Sequence, residues 1–204
     1  MILSQSSRLL IRKMEAFETA RLLIRPLVME DLDELYNLYN EAELMQYVDG
    51  AVRSYERTKG YLESYIADYE RYGFGLCAAI HKPTGRMIGR CGLIPVPTEV
   101  GKDGELAFMF KKDYWGMGLA TEFSQAMVQY AFDKIKLTRV FAKVNRHNAA
   151  SIRVLQKTGM QCVQSAMSAE DEYEIRRASW VFRGDPSRNV NHADRLNGEG
   201  SDSE

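Results

Sequence analysis

The alternation of apolar and polar positions divides the chain into short, well-marked elements. Arg21 to Leu27 reads as a first strand. Asp31 to Asn40 then carries Leu32, Leu35, Leu38 and Tyr39 at helical spacing. Its entry is weak: Val28 and Met29 stand where Ser, Thr or Asp would cap a helix, a loss of about 1 kcal/mol. A second helix is predicted after Ser54, with Tyr61, Tyr65, Tyr69 and Tyr72 nearly on one face beside Leu62 and Ile66, and with Gly73 as its stop. Phe74 to Ile80 and Met87 to Ile94 read as a hairpin joined by the turn His81-Lys82-Pro83-Thr84-Gly85-Arg86. Pro95, Pro97, Gly101 and Gly104 mark a loop, and Glu105 to Lys111 a strand with Leu106, Phe108 and Phe110 on one face.

Further along, Phe123, Met127, Tyr130 and Ala131 predict a helix over 120–134. Arg139 to Asn145 follows as a strand, Ala149 to Thr158 as a helix stopped by Gly159. Met160 to Gln164 and Glu174 to Phe182 read as strands separated by an acidic loop. The order is strand, two helices, three strands, helix, strand, helix, two strands, which implies a mixed α/β layer with a largely antiparallel first half. Residues 184–204 have almost no apolar content and are expected to be a disordered tail, and residues 1–17 a flexible extension. Arg8 to Arg12 echoes Arg21 to Arg25, too short a likeness for a repeat architecture.

Composition narrows the classes. With 204 residues, 45% hydrophobic and 27% charged, the chain suits one domain with an ordinary core. A net charge of -1 offers no global basic surface for nucleic acid or anionic membrane. Cys77, Cys91 and Cys162 are odd in number and far apart, and His81, His147 and His192 lack ligand spacing, so neither a disulfide framework nor a metal site is expected. No apolar run reaches membrane-spanning length. A cytoplasmic protein with reduced thiols, monomeric or homodimeric, is the expectation. Residues 1–14, basic and serine-bearing, also read as the start of a transit peptide, and Met14 as an alternative first residue.

The most informative stretch is Tyr114-Trp115-Gly116-Met117-Gly118-Leu119-Ala120-Thr121-Glu122, between a strand and an amphipathic helix. The first turn of a helix has amides without partners, and these favour an anion. Gly116, Gly118 and Ala120 leave room for a pyrophosphate. The stretch has no lysine for a P-loop, and Thr121 stands where a dinucleotide fingerprint needs glycine. A tight turn that merely uses glycine explains the same letters.

From about Glu18 to Phe182 the chain resembles the GNAT superfamily of acyl-CoA N-acyltransferases, most of all its ribosomal-protein N-terminal acetyltransferase group. Three stretches carry the likeness: Thr19-Ala20-Arg21-Leu22-Leu23-Ile24-Arg25-Pro26-Leu27 with Asp31, then Tyr114 to Glu122, then Asn145 to Gly159 with Asn148, Ala150, Ser151 and Lys157. The resemblance implies a GNAT domain over residues 18–183, with a mixed, mostly antiparallel sheet of about seven strands and about four helices on its faces. It implies acetyl-CoA as donor and an amine as acceptor. The strand before the loop would splay, so that Phe108, Met109 and Phe110 pair with the pantetheine. Amides of Trp115, Gly116, Met117, Gly118, Leu119 and Ala120, with Thr121, would hold the pyrophosphate. Trp115 replaces the Gln or Arg of the wider consensus. Asn148 would contact the pantetheine or simply cap its helix, and Ser151 would lie near the sulfur as the general acid, since Leu155 stands where many relatives have tyrosine.

Attack on a thioester needs a neutral amine. At pH 7 deprotonation costs about 4–5 kcal/mol for a lysine and only about 1–1.5 kcal/mol for an α-amine. A carboxylate relayed by water therefore suits a protein N-terminal α-amine or another amine of low pKa, and Glu105 is the expected base. Glu122 is expected to serve the helix dipole, the tyrosine row the core, Lys111, Lys112, Arg146 and Arg153 the solvent rather than phosphate, and Cys91 the interior. The activity expected is direct transfer of acetyl to a primary amine through a tetrahedral intermediate. The rival is a non-catalytic acyl-CoA-binding sensor or interaction module.

Overall fold

The computed structural model describes residues 14–48, 50–97, 102–163 and 170–180. Its sheet has eight strands: β1 (Phe17–Glu18), β2 (Leu22–Pro26), β3 (Leu76–His81), β4 (Arg86–Pro97), β5 (Lys102–Phe110), β6 (Arg139–Asn145), β7 (Gln161–Val163) and β8 (Glu170–Arg176). They lie in the order β1-β2-β3-β4-β5-β6-β8-β7. Only β5 and β6 run parallel; the other neighbours are antiparallel. The helices are α1 (Leu32–Tyr39), α2 (Ala42–Met45), α3 (Tyr55–Tyr72), α4 (Leu119–Tyr130) and α5 (Ala149–Thr158).

Strand alternation divides the apolar residues between two cores. On one face Cys77, Cys91, Leu93, Leu106, Phe110, Val140, Ala142 and Val144 meet Phe123, Met127 and Val128 of α4 and Leu155 of α5. On the other, Leu76, Ala78, Met87 and Met109 meet Leu35, Leu38 and Tyr39 of α1 and Leu62 of α3. The tyrosine row packs as expected, with Tyr69 and Tyr72 in the first core and Tyr65 against the second.

The predicted mixed, mostly antiparallel sheet is present, with eight strands and five α-helices in place of about seven and four. The additions are β1, of two residues, and α2, of four, both too short to carry a period. Ser54 accepts from the Arg57 amide and Gly73 is left-handed, so α3 begins and ends where its capping residues predict. Three elements differ from expectation, one of them the strand expected over Glu174–Phe182, which ends at Arg176 and gives way to a 3-10 turn at Arg177–Ser179, with Val181 and Phe182 outside the described residues. The hairpin of β4 and β5 runs on through Pro95–Pro97 and Lys102–Gly104, where a loop was expected. The acidic stretch is strand rather than loop: Glu170, Glu172 and Glu174 face one side while Tyr173 and Ile175 are buried on the other, and Arg139 answers the acids through ion pairs with Glu172 and Glu174. The predicted helix over 120–134 closes with a π-helical turn at Ala131–Ile135. Of the presumed 1–17 extension, residues 1–13 lie outside the described residues, whereas Met14 is buried in the core and donates to the Gly73 carbonyl at 2.6 Å. The expected tail, 184–204, and Gln164 also lie outside the described residues.

The weak entry to α1 is fastened from within. Asp31 accepts from the Val28 amide at 3.0 Å and from both terminal nitrogens of Arg25 at 2.7 Å. That fork ties the first turn to β2 and, through the hydrogen bond to Asp31, raises the Arg25 pKa. Replacing Asp31 by Ala leaves the amide and the fork without their acceptor, and is expected to lower stability by about 2–3 kcal/mol in urea unfolding.

Candidate active site

The site begins where two strands part. β5 pairs with β4 along its whole length, from Lys102 to Phe110. With β6 it pairs only at Asp103, Gly104 and Glu105, opposite Arg139, Val140 and Phe141. Beyond Glu105, β6 stays with β8 as far as Asn145 and β5 stays with β4. The β6-facing polar groups of Leu106 to Phe110 therefore have no strand partner, and Phe108, Met109 and Phe110 border the opening. One of them is partly committed, because the Trp115 indole donates to the Phe110 carbonyl at 2.7 Å. Trp115 thus anchors the loop to the strand instead of offering the polar side chain of the wider consensus.

After β5 the chain makes a 3-10 turn, Lys112–Tyr114, and reaches α4 through two left-handed glycines, Gly116 at φ 74 and Gly118 at φ 79. No side chain caps α4. Its first internal bond runs from Glu122 to the Gly118 carbonyl at 3.0 Å. The amides of Gly118, Leu119, Ala120 and Thr121 find no acceptor among the described residues. A Cβ on Gly116 would meet nothing within 4 Å, so the φ angle, not crowding, demands glycine there. An open strand edge, a bare loop and an uncapped helix start follow one another along the chain, and amides left free in this way favour an anion.

Arg21 completes this surface, and neither periodicity nor spacing singled it out. Its guanidinium donates to the Met117 carbonyl at 2.8 Å and lies 3.6 Å from where a Gly118 Cβ would stand. Glu122 holds it there, accepting from Arg21 Nε at 2.7 Å, from the Arg21 amide at 2.8 Å and from the Thr19 hydroxyl at 2.6 Å. Burial alone would raise the Glu122 carboxyl, but these bonds outweigh it and hold its pKa below the usual 4.5. Glu122, assigned from sequence to the helix dipole, is a strut between the edge of the sheet and the loop.

Glu105 sits at the point of divergence, half-buried, on the face that carries Ile94 and Phe141. Burial pushes its carboxyl above 4.5, Glu170 and Glu172 add to the rise, and Lys143 opposes it. Such a carboxyl is better matched to proton transfer near neutrality than a solvated one. Ser151 and Asn148 belong to the opposite face, at the start of α5. Asn148 Oδ1 accepts from the Ser151 amide at 3.0 Å, so the capping role is realised. The Ser151 hydroxyl makes no hydrogen bond among the described residues. Leu155 is 1% exposed within the core.

The other cations find carboxylates. Lys111 pairs with Glu34 and Lys112 with Glu43, each at 2.8 Å, and Arg146 with Asp171 at 2.8 Å, while Arg153 is exposed. Cys91 is buried, its thiol driven up by that burial. Among the described residues no group of three or more His, Cys, Asp or Glu is placed to hold a metal ion, and no helix is long and apolar enough to cross a membrane.

A sheet opened between its one parallel pair, with an uncapped helix start following the opened strand, offers unpartnered backbone groups to an anionic, amide-bearing ligand. The chain belongs to the acetyltransferase (GNAT) domain family, which it matches over residues 21–161. It is 33% identical over 140 residues to the uncharacterized protein YkkB of Bacillus subtilis, covering 67% of this chain and 81% of that one. It is 29% identical over 149 residues to the uncharacterized N-acetyltransferase p20 of Bacillus licheniformis, covering 72% and 83%. A spermidine N(1)-acetyltransferase of Escherichia coli is 24% identical over 137 residues, covering 67% and 70%. Among solved structures, the ribosomal L7/L12 alpha-N-protein acetyltransferase RimL in complex with coenzyme A superposes with a TM-score of 0.67 at 19% identity, over 79% of this chain and 98% of that one, a likeness of fold.

Glu122→Gln is expected to weaken coenzyme A binding about tenfold in calorimetry by releasing Arg21 and the loop. Because the folded carboxyl lies below its free value, its stabilisation is present above pH 4.5 and lost as the pH falls through the lowered value. The difference in Tm between wild type and variant should therefore close in acid.

Proposed function

We propose that the chain moves an acetyl group from acetyl-CoA to a primary amine of low pKa, a protein N-terminal α-amine or a small-molecule amine, by direct attack on the thioester. The observation that carries this reading is the parting of β5 from β6 directly beside the uncapped start of α4. Acetyl-CoA supplies the activated acyl carbon. The loop from Trp115 to Ala120, with Thr121 and the guanidinium of Arg21, holds its diphosphate, and the open edge at Phe108, Met109 and Phe110 pairs with its amide-bearing arm.

Glu105 takes the proton that the attacking ammonium must lose, directly or through water. As the new C–N bond forms and the C–S bond breaks, the nitrogen loses its second proton, which is relayed by the Ser151 hydroxyl, alone or through water, to the departing sulfur, so that coenzyme A leaves as its thiol and the serine is restored. Asn148, holding the first turn of α5, positions that hydroxyl and contacts the arm with its remaining amide group. Even with its raised pKa Glu105 is a weak base, so an α-amine or another weakly basic amine suits it better than an ordinary lysine, whose deprotonation costs about 3 kcal/mol more. The resemblance in sequence to the ribosomal-protein N-terminal acetyltransferases supports the same class of acceptor. The free Cys77, Cys91 and Cys162 fit a reducing, cytoplasmic setting.

Calorimetry of the full chain with coenzyme A should give one site per chain, and Gly118→Val should abolish it, since a β-branched residue tolerates neither the left-handed φ nor the close approach of phosphate. In thiol-release assays on peptides with free N-termini, kcat/KM should fall on the acid side through a limb lying above 4.5. Glu105→Gln should bind coenzyme A normally and lose that limb together with at least 100-fold in kcat. Full activity of Glu105→Gln at every pH removes Glu105 from the mechanism. Tight binding without turnover on any amine marks a sensor module.

A further inference from the structure

Between α1, α3 and the sheet the buried guanidinium of Arg90 lies among tyrosines. Arg90, on β4, points to the face that carries Ala78 and Met109 and is 7% exposed. Its Nε is buried without a hydrogen-bond partner, and its guanidinium lies 5.7 Å from the centre of the Tyr39 ring and interacts electrostatically with Tyr65. Tyr39 and Tyr65 share one hydrogen bond between their hydroxyls, at 3.0 Å. In such a pair only one proton lies between the oxygens, so the second hydroxyl keeps a proton to donate. Burial, first of all, raises the Tyr65 pKa, with Arg90 and Arg53 opposing the rise, so this hydroxyl stays protonated near neutrality. Arg53, also 7% exposed, stacks its guanidinium over the rings of Tyr39 at 4.3 Å and Tyr61 at 4.1 Å. A buried guanidinium is ordinarily matched by a carboxylate. Around Arg90 the described residues supply ring faces and hydroxyls instead.

The cluster occupies the same sheet face as Glu105. Arg90 stands opposite Met109 and Glu105 opposite Ile94, four residues further along the same pair of strands, or about 13 Å. We propose that Arg90, with the hydroxyl pair of Tyr39 and Tyr65, receives a carboxylate of the acceptor, which is therefore an amine that also carries a carboxylate, of the size of an amino acid or dipeptide. The acceptor part of this inference rests on the acetyl-transfer function proposed above; the carboxylate site itself does not. A carboxylate fits better than a phosphate because a flat guanidinium edge and one hydroxyl proton match two coplanar oxygens, whereas a phosphate dianion leaves further oxygens without donors.

The test uses the full chain and three probes: glutarate, its neutral diamide and inorganic phosphate. Calorimetry with coenzyme A present should show glutarate binding at least tenfold more tightly than either alternative, with Arg90→Met abolishing it and Tyr65→Phe weakening it. The wild-type comparison stands without any variant, and Arg90→Lys, which keeps the charge but not the fork, should restore only part of the affinity. Equal binding of acid and diamide, preference for phosphate, or undiminished binding in Arg90→Met overturns the site. In the transfer assay, dipeptides with a free C-terminal carboxylate should exceed their C-terminal amides at least tenfold in kcat/KM, and the ratio should approach one in Arg90→Met. If glutarate binds but no amine is acetylated, the carboxylate site stands and the transferase reading falls. If amines are acetylated with no preference for the acid and no glutarate binding, the transferase reading stands and the site falls.

Discussion

The parallel pairing of β5 with β6 stops after three residues, and the rest of the site follows from that interruption. A strand inside a sheet normally satisfies its backbone on both sides; here Leu106 to Phe110 are satisfied on one side only, in the middle of the molecule and not at an edge. The two halves can separate without unravelling because each is held from outside: β5 by its full-length pairing with β4, β6 by full-length pairing with β8. The opening is thus a property of the whole sheet, and under the proposed function it receives an extended chain with its own amide groups.

The helix beside the opening repeats the same physical theme in a different element. A capping side chain at the start of α4 would satisfy its amides internally; Gly118 offers none. The cost of leaving those donors open is offset elsewhere. Glu122 binds Thr19 and Arg21, Trp115 binds the Phe110 carbonyl, and the two left-handed glycines carry the chain between these anchors. Arg21 is bound through its Nε and one Nη, leaving a positive edge over the glycine turn. Under the proposed function, anchored surroundings and unsatisfied donors make the loop a preorganised site for the coenzyme's diphosphate.

The two faces of the sheet divide the remaining work. The face covered by α4 and α5 is the larger core, and Leu155 is part of it. The face covered by α1 and α3 is richer in charge: Arg25 with Asp31, Arg53 and Arg90 among tyrosines, and Glu105 toward the acidic row of β8. A single molecule on that face would meet a carboxylate at one end and a guanidinium at the other.

Most of the elements were legible as local pattern. The limits of β6 and α5, the caps of α3 and the hairpin of β3 with β4 are set by neighbours a few residues apart, through alternation, helical period and glycine stops. The bare loop from Trp115 to Thr121 was legible for the same reason, since an uncapped helix start behind glycines is a local fact. The acidic stretch at Glu170–Glu174 misled because its strand character depends on Arg139, 35 residues from Glu174, and on the rest of β6. Similarly, Arg21 gained its place only when Glu122, 101 residues distant, came to meet it, and Arg90 became an unmatched buried charge only when Tyr39 and Tyr65 closed over it. The sequence by itself determined which segments form strands and helices and which turn is left bare, because those depend on short-range sterics and hydrogen bonding. Tertiary structure alone decided where the strands part and which charges are buried, because both depend on groups far apart in the chain being brought into a space that water leaves.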